Sequence, residues 1–347
     1  MVSVEPTIAE RQGVEDGASG PAIVVRGLTR RYGARAVVDD LSFDVQSGEV
    51  FALLGPNGAG KTTTVEILEG YRAPTAGSVR VLGLDPIRDA DRLKPRIGLM
   101  LQEGGVYPSI RPLEALRLFA SFYPSPADPV ALLRRVGLDD AIRTRYRQLS
   151  GGQKARLSVA LALVGRPELV FLDEPTAAMD PEARRATWEL VRGLKADGVT
   201  VLLTTHFMEE AEQLADRVAI VDRGRLVALD SPAVLGRQGS DQGELRFRAT
   251  PGLALADLAG RLGARGVREE RPGEYRVAVD VTPAAIAALA AWLAEREVLL
   301  ADLRVGRQSL EDVFLRLTTR EEGGGPGSQD ADVMAPVARA GPGSARG

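Results

Sequence analysis

Gly55, Pro56, Asn57, Gly58, Ala59, Gly60, Lys61 and Thr62 fit the pattern Gly-x-x-x-x-Gly-Lys-Ser/Thr. Glycines in such a run let successive backbone N–H groups curl round a phosphate without Cβ clashes. A helix starting at the lysine would add unsatisfied N–H groups and a positive dipole end. Lys61 is a compact charge able to reach β- and γ-phosphates. The Thr62 hydroxyl suits Mg²⁺, and Thr63 offers a further donor to the phosphates. Downstream, Asp173 and Glu174 are adjacent carboxylates that end an apolar run. Asp173 can hold Mg²⁺ through its water shell, and Glu174 can face a γ-phosphate and polarise an attacking water. Between these stretches, Leu149-Ser150-Gly151-Gly152-Gln153 opens a helical pattern. A Ser-Gly-Gly helix start is a second anion-binding device.

These residues need a scaffold, and the flanking sequence predicts one. Val50-Phe51-Ala52-Leu53-Leu54 is a short, continuously apolar run ending at Gly55, the pattern of a buried parallel strand. Runs at 97–101, 169–172, 199–203 and 218–221 repeat it, with helical patterns between. Such alternation predicts an α/β domain with a largely parallel sheet over 22–236. Residues 111–147 carry only helical signals, so a helical insertion is expected at about 104–164. Loop-like residues at 236–243 mark a boundary. Beyond it the pattern runs strand (244–249), helix (252–262), strand (265–270), strand (275–281), helix (283–294), strand (298–305) and a short helix from Leu310. Strand-helix-strand-strand-helix-strand is the split βαβ order of ferredoxin-like folds, so a small α+β accessory domain is expected over 244–320.

Composition narrows the chemistry. The 347 residues contain no cysteine and one histidine, His206. That excludes disulfides, thiol nucleophiles, cysteine-held zinc, iron–sulfur clusters and sites needing two histidines. Of 44 basic residues only Lys61, Lys94, Lys154 and Lys195 are lysine. The net charge of -3 gives no global attraction to nucleic acid, and the arginines at 134, 135, 143, 145 and 147 read as a solvated face. No apolar run approaches the roughly 20 residues of a membrane-spanning helix. Residues 1–21 read as a disordered acidic arm and 321–347 as a disordered Gly-, Pro- and Ser-rich tail. A soluble intracellular chain is expected.

With Leu149–Gln153 added to the phosphate loop, the sequence resembles the nucleotide-binding subunits of ATP-binding cassette (ABC) transporters over about 22–236. The resemblance implies a P-loop NTPase cassette fold, ATP and Mg²⁺ as cofactors, and ATP hydrolysis as the activity. It matches Tyr32 to the aromatic residue that stacks on adenine. Gln102 matches the glutamine that touches Mg²⁺ and water. Asp180 matches the D-loop aspartate, although the residues before it depart from the commonest wording. His206 matches the switch histidine on the γ-phosphate. Glu209 and Glu210, which follow it, read as a solvated helix face.

In that family the signature acts in trans, so Ser150, Gly151, Gly152 and Gln153 of one subunit would cap ATP on the loop of another. A homodimer follows, with ATP as its glue. The stretch from Gly306 to Phe314 resembles the C-terminal extension of drug-resistance (daunorubicin-type) exporter ATPases, whose permease is a separate membrane chain. The implied place is peripheral, on the cytoplasmic face of the membrane. Val106, Tyr107, Pro108, Leu113, Leu116, Phe119 and Phe122 lie where the family receives its membrane subunit, though most also read as the insertion's own core. Leu310, Val313, Phe314 and Leu317 make an apolar stripe that fits domain docking, dimerisation or core packing. The competing expectation is a soluble ABC ATPase acting on the ribosome or DNA. Such relatives usually carry two cassettes or a long coiled-coil insertion, and neither is visible here. A non-catalytic regulatory module would not need Lys61, Asp173, Glu174 and His206 intact.

Overall fold

The structure, a computed structural model, describes residues 20–100, 106–177, 179–236, 244–305, 310–311 and 313–314. Gln102, the arm to residue 19, the 237–243 boundary, Leu317 and the tail lie outside them.

A six-stranded sheet carries the order β5 (Ile97–Met100), β6 (Leu169–Asp173), β7 (Thr200–Thr205), β3 (Val50–Leu54), β8 (Arg217–Asp222), β9 (Arg225–Asp230). All neighbours are parallel except β8 with β9. A strand's side chains alternate between faces, and here the alternation divides two cores. Val50, Ala52, Leu54, Val170, Leu172, Val201, Leu203, Val218 and Ile220 enter one. Phe51, Leu53, Leu169, Phe171, Leu202, Ala219 and Val221 enter the other. With both faces covered, these strands need apolar residues at every position, which is why they read as unbroken apolar runs.

The second core is closed by α1 (Lys61–Leu68) and by an antiparallel sheet of β2 (Arg35–Gln46), β1 (Pro21–Tyr32) and β4 (Ala76–Val81). A short helix, α2 (Ala90–Leu93), leads into β5. The first core is closed by α3 (Pro112–Ala120), α4 (Pro129–Arg135), α5 (Gly151–Leu163), α6 (Pro181–Ala196) and α7 (Met208–Leu214). Residues 106–149 contain helices and turns and no strand, as the periodicity predicts. Lys195, which the sequence left without a role, pairs with Asp216 Oδ1 at 2.5 Å, while Asp216 Oδ2 accepts the Val50 N–H at 2.9 Å. That pair ties the end of α6 to the start of β3.

After α8 (Pro232–Leu235) comes a separate four-stranded antiparallel sheet. Its order is β11 (Gly266–Arg271), β12 (Glu274–Ala278), β10 (Glu244–Arg248), β13 (Asp302–Val305), so two strand–helix–strand units interleave. α9 (Leu258–Leu262) and α10 (Pro283–Ala294) cover one face through Phe247, Tyr275, Leu289 and Trp292. Two elements start well after the positions the sequence predicts. The helix expected at 252–262 covers only α9, because Gly252 has φ +78° and the Gly252 and Leu253 N–H groups bond the Glu269 carboxylate and the Tyr275 hydroxyl. The strand expected from 298 begins at Asp302, because the Val298 N–H still bonds Leu293 O and closes α10.

The chain then returns to the first domain. Leu310 and Val313 are 1% exposed within the first core, and Glu212 Oε1 on α7 accepts the Leu310 N–H at 2.5 Å. Of the roles open to that apolar stripe, these two residues take core packing within the same chain.

α5 lies close on β5. A Cβ at Gly98 would sit 2.2 Å from the Ala162 carbonyl oxygen, so only glycine permits this approach. Gly98→Ala is expected to destabilise the protein by about 1–3 kcal/mol through overpacking. Urea unfolding measures it, and an unchanged midpoint would mean that α5 does not need this contact.

Candidate functional site

The phosphate loop joins β3 to α1. Gly60 is the N-cap of α1 at φ +98°, and a Cβ there would lie 2.6 Å from Val37 O. The β2 backbone thus presses directly on the loop, and glycine is the residue that fits both the dihedral and the space. Behind it, the Gly224 N–H bonds Ala59 O at 3.0 Å and the Gly55 N–H faces Thr205 O at 3.4 Å. Lys61 is 5% exposed, and its ammonium donates to Gly55 O at 2.7 Å and Pro56 O at 3.2 Å. Burial lowers its pKa, while the Glu174 and Asp173 carboxylates pull it back up. Asn57, Gly58 and Thr62 are exposed on the loop, with Pro56 and Thr63 half-buried beside them.

The acids arrive from β6. Glu174 Oε1 stands 3.8 Å from Lys61 Nζ and 3.3 Å from His206 Nδ1. That histidine contact is out of line for a hydrogen bond, and His206 Nδ1 is buried with no hydrogen-bond partner. Glu174 holds φ +48°, a left-handed backbone that a glutamate adopts only when its surroundings dictate it. Those surroundings are Thr204 on β7, a buried residue level with Asp173 in the sheet register. Glu174 donates its N–H to Thr204 Oγ1 at 3.1 Å and to Thr204 O at 3.2 Å. The same hydroxyl donates to Asp173 Oδ1. One threonine therefore holds the Asp173 carboxylate and the Glu174 backbone. Burial raises the Asp173 pKa, and that Thr204 hydrogen bond opposes the rise. A third acid lies nearby: burial pushes Glu69, at the end of α1, up to about 8, with the Asp173 and Glu66 charges adding to it.

The signature forms a second cluster. Ser150 caps α5, its Oγ accepting from the Gln153 N–H at 3.2 Å while Gln153 Oε1 accepts the Ser150 N–H at 3.0 Å. This reciprocal capping box leaves Ser150 and Gly151 exposed at the helix tip. At Gly152 a Cβ would meet the Ala183 side chain at 3.0 Å, so α5 abuts the start of α6. Asp180 caps α6, accepting the Ala183 N–H at 2.9 Å. Among the described residues no hydrogen bond or ion pair joins Ser150–Gln153 to the phosphate loop of the same chain.

Tyr32 ends β1, 43% exposed, with the Arg30 guanidinium 4.8 Å and the Arg72 guanidinium 6.0 Å from its ring centroid. Gln102 lies outside the described residues. Thus Lys61, Asp173, Glu174 and His206 come together, Ser150–Gln153 and Asp180 form a neighbouring group, and Tyr32 stands apart at the end of β1.

Sequence reasoning passed over Thr204 and Glu210. A threonine pair directly before the lone histidine was the only signal for the first. Glu210 corrects an expectation: it is 0% exposed and accepts from Thr176 Oγ1 at 2.8 Å and Trp188 Nε1 at 3.3 Å, while Glu209 is exposed. Neighbours on a helix point about 100° apart, and α7 turns Glu210, Ala211 and Leu214 inward together.

Two oxygen donors, the Asp173 carboxylate and the Thr62 hydroxyl, suit Mg²⁺. That ion typically takes one or two protein oxygens and completes its shell with phosphate and water. Among the described residues no group of three or more His, Cys, Asp or Glu is placed to hold a metal ion by itself.

The family model for ABC transporters matches residues 38–177. The Nod factor export ATP-binding protein I of Ralstonia nicotianae is 39% identical over 313 residues, covering 87% of this chain and 95% of that protein. Daunorubicin resistance ATP-binding protein DrrA3 of Streptomyces coeruleorubidus is 37% identical over 304 residues, covering 86% and 96%. A solved ATP-binding subunit of an ABC transporter matches with TM-score 0.57 and 29% identity, covering 63% of this chain and 93% of that one. The buried lysine of the phosphate loop, the strand-end acids and the capped signature helix thus recur in a chain that belongs to the ABC transporter family as an ATP-binding, ATP-hydrolysing subunit.

Proposed function

We propose that this chain is the motor of an exporter, working as a homodimer that drives a separate membrane permease from the cytoplasmic face. The observation that carries the chemistry is the approach of Lys61 Nζ, at 3.8 Å, and His206 Nδ1, at 3.3 Å, to the one oxygen Glu174 Oε1. Lys61 and the loop amides hold the β- and γ-phosphates and offset the charge that develops on them. Glu174 orients a water and takes its proton as the oxygen attacks the γ-phosphorus. The bond to the bridging oxygen breaks, and ADP and inorganic phosphate leave. His206 contacts the γ-phosphate and keeps the Glu174 carboxylate company from the other side. Tyr32 receives the adenine. Thr62 and Asp173 would hold Mg²⁺, which supplies charge neutralisation at the phosphates, and Gln102 is assigned to that ion and the water by resemblance.

Ser150, Gly151 and Gly152 cap the ATP of the partner subunit, with Gln153 shaping the helix tip and Asp180 lying beside the seam. The exposed position of Ser150 and Gly151, unbonded to their own loop, supports action in trans. The permease docks on the helical insertion. Leu116 is fully buried there and Leu113 and Phe119 pack on the core, yet Tyr107 and Phe122 stay 73% and 72% exposed. Export rests on the likeness to the Nod factor and daunorubicin relatives. No helix among the described residues is long and apolar enough to cross a membrane, so membrane attachment is assigned to the permease.

Glu174→Gln is expected to slow hydrolysis by about 100-fold or more and to accumulate an ATP-bound dimer on gel filtration. Adding Ser150→Arg should return that dimer to monomer while ATP still binds. Normal turnover in Glu174→Gln would remove the catalytic assignment, and a dimer that survives the second change would remove the trans cap.

Thr204→Val keeps the buried volume and deletes both hydroxyl bonds. Its kcat should fall by about tenfold or more, since misplacing a catalytic group by even 1 Å is costly. Thr204→Ser should recover most of the loss. Equal loss in both variants would count against the bridging role.

In the native host, the chain is expected to pellet with membranes and to co-purify with an integral membrane protein after mild detergent extraction. Recovery with ribosomes or DNA instead would favour a soluble ABC ATPase.

A further inference from the structure

Glu210 is a carboxylate with no exposed surface, four residues after the lone histidine. Burying such a group is costly unless its bonds are good. Its bonds go to two separate segments. Thr176, the Oγ1 donor at 2.8 Å, lies two residues after Glu174, in the Pro175-Thr176 corner that turns the chain out of β6. Trp188, the Nε1 donor at 3.3 Å, is on α6, the helix that Asp180 caps. Both bonds enter Oε1, and Oε2 is buried without a partner. Burial raises the pKa of this acid, and the donors around it pull the other way. A second contact runs parallel: the Arg184 guanidinium of α6 lies 4.7 Å over the ring of Phe207, the residue next to His206.

We infer that Glu210 is a positioning residue for hydrolysis, its single oxygen tying the helix that follows His206 to the corner that carries Glu174 and to the helix capped by Asp180. The geometry makes this a short linkage. His206 and Glu174 approach each other at 3.3 Å, each one residue past the end of the neighbouring strands β7 and β6. Thr204 fixes that approach from the strand side, and Glu210 fixes it from behind, where β6 and β7 have ended and no ladder bonds remain. Without an acceptor at this place, the Thr176 hydroxyl and the Trp188 indole N–H would be buried and unpaired, and both segments would shift to find partners. ATP binding would be spared, because Lys61 and the loop amides are held by β2, β8 and β7.

The linkage rests on the proposed roles of Glu174 and His206; a normally active Glu174→Gln would remove those roles, whereas a normally active Thr176→Val would remove the linkage alone. The test is steady-state ATPase kinetics with melting curves on the full chain carrying Glu210→Leu, Glu210→Gln, Thr176→Val, and Glu210→Leu with Thr176→Val. Glu210→Leu and Thr176→Val should each lower kcat by about 10- to 100-fold with KM for ATP within about twofold. The double variant should be no worse than Glu210→Leu, since both changes cut one linkage. Glu210→Gln should recover most of the activity, because an amide oxygen at Oε1 accepts the same two bonds. Thr176→Val changes no volume and keeps the inference testable if Glu210→Leu does not fold. Three results would overturn it: kcat within about twofold of wild type in Thr176→Val, a loss in Glu210→Gln equal to that in Glu210→Leu, or losses of kcat that merely follow losses of melting temperature.

Discussion

The site depends on three parallel strands ending at one level. Leu54 of β3 pairs with Thr205 of β7, and Asp173 of β6 pairs with Thr204. That register brings the phosphate loop, the acid pair and the lone histidine to the same edge of the sheet, although they are far apart in sequence. Ligands of open α/β sheets gather at this carboxyl edge because the strands stop there and the backbone turns outward. A slip of one residue in β7 would turn Thr204 to the other face and remove the bond to Asp173. The continuous burial of β3, β6 and β7 resists such a slip, since every position already has a core to fill.

Much of this was legible because the informative residues are contiguous. The phosphate loop is one run of eight residues, and its helix begins at Lys61 as the pattern predicts. Asp173 and Glu174 follow an apolar strand directly, and Ser150 announces its own helix cap. What stayed hidden depends on register or rotation. Thr204 matters because it stands level with Asp173 across the sheet, a relation that neither segment carries alone. Glu210 differs from Glu209 only by one step around a seven-residue helix, too short for periodicity to say which side faces in. Tyr107 and Phe122 resembled core as much as Leu116 did, and only packing separated them. Around the second sheet, Gly252 at φ +78°, with the Gly252 and Leu253 N–H groups anchored to Glu269 and Tyr275, holds the chain out of the helix the sequence suggests at 252.

The polar groups near the γ-phosphate position form a graded series. Lys61 is buried with two carboxylates near it, and burial and charge act on it in opposite directions. Asp173 feels burial most and is steadied by a hydroxyl. Glu69 is pushed far enough to be largely neutral near pH 7. Adding a phosphate chain and a divalent ion to this set brings charges of both signs to groups already partly desolvated, where electrostatic interactions are stronger than in water. Fixed groups of this kind at the sheet edge can stabilise developing charge without rearranging solvent.

Leu310 and Val313 fill the first core from beyond the second domain. During synthesis, the ribosome delivers the phosphate loop, the acids and the histidine long before it delivers this plug. The nascent first core therefore waits with an apolar gap beside α7 until the strands and helices of 244–305 have been made, and loop closure over so many residues is slow. The segment that seals the first core is made after the second sheet, so a chain terminated before it would betray itself by exposed apolar surface to the cell's chaperones and proteases.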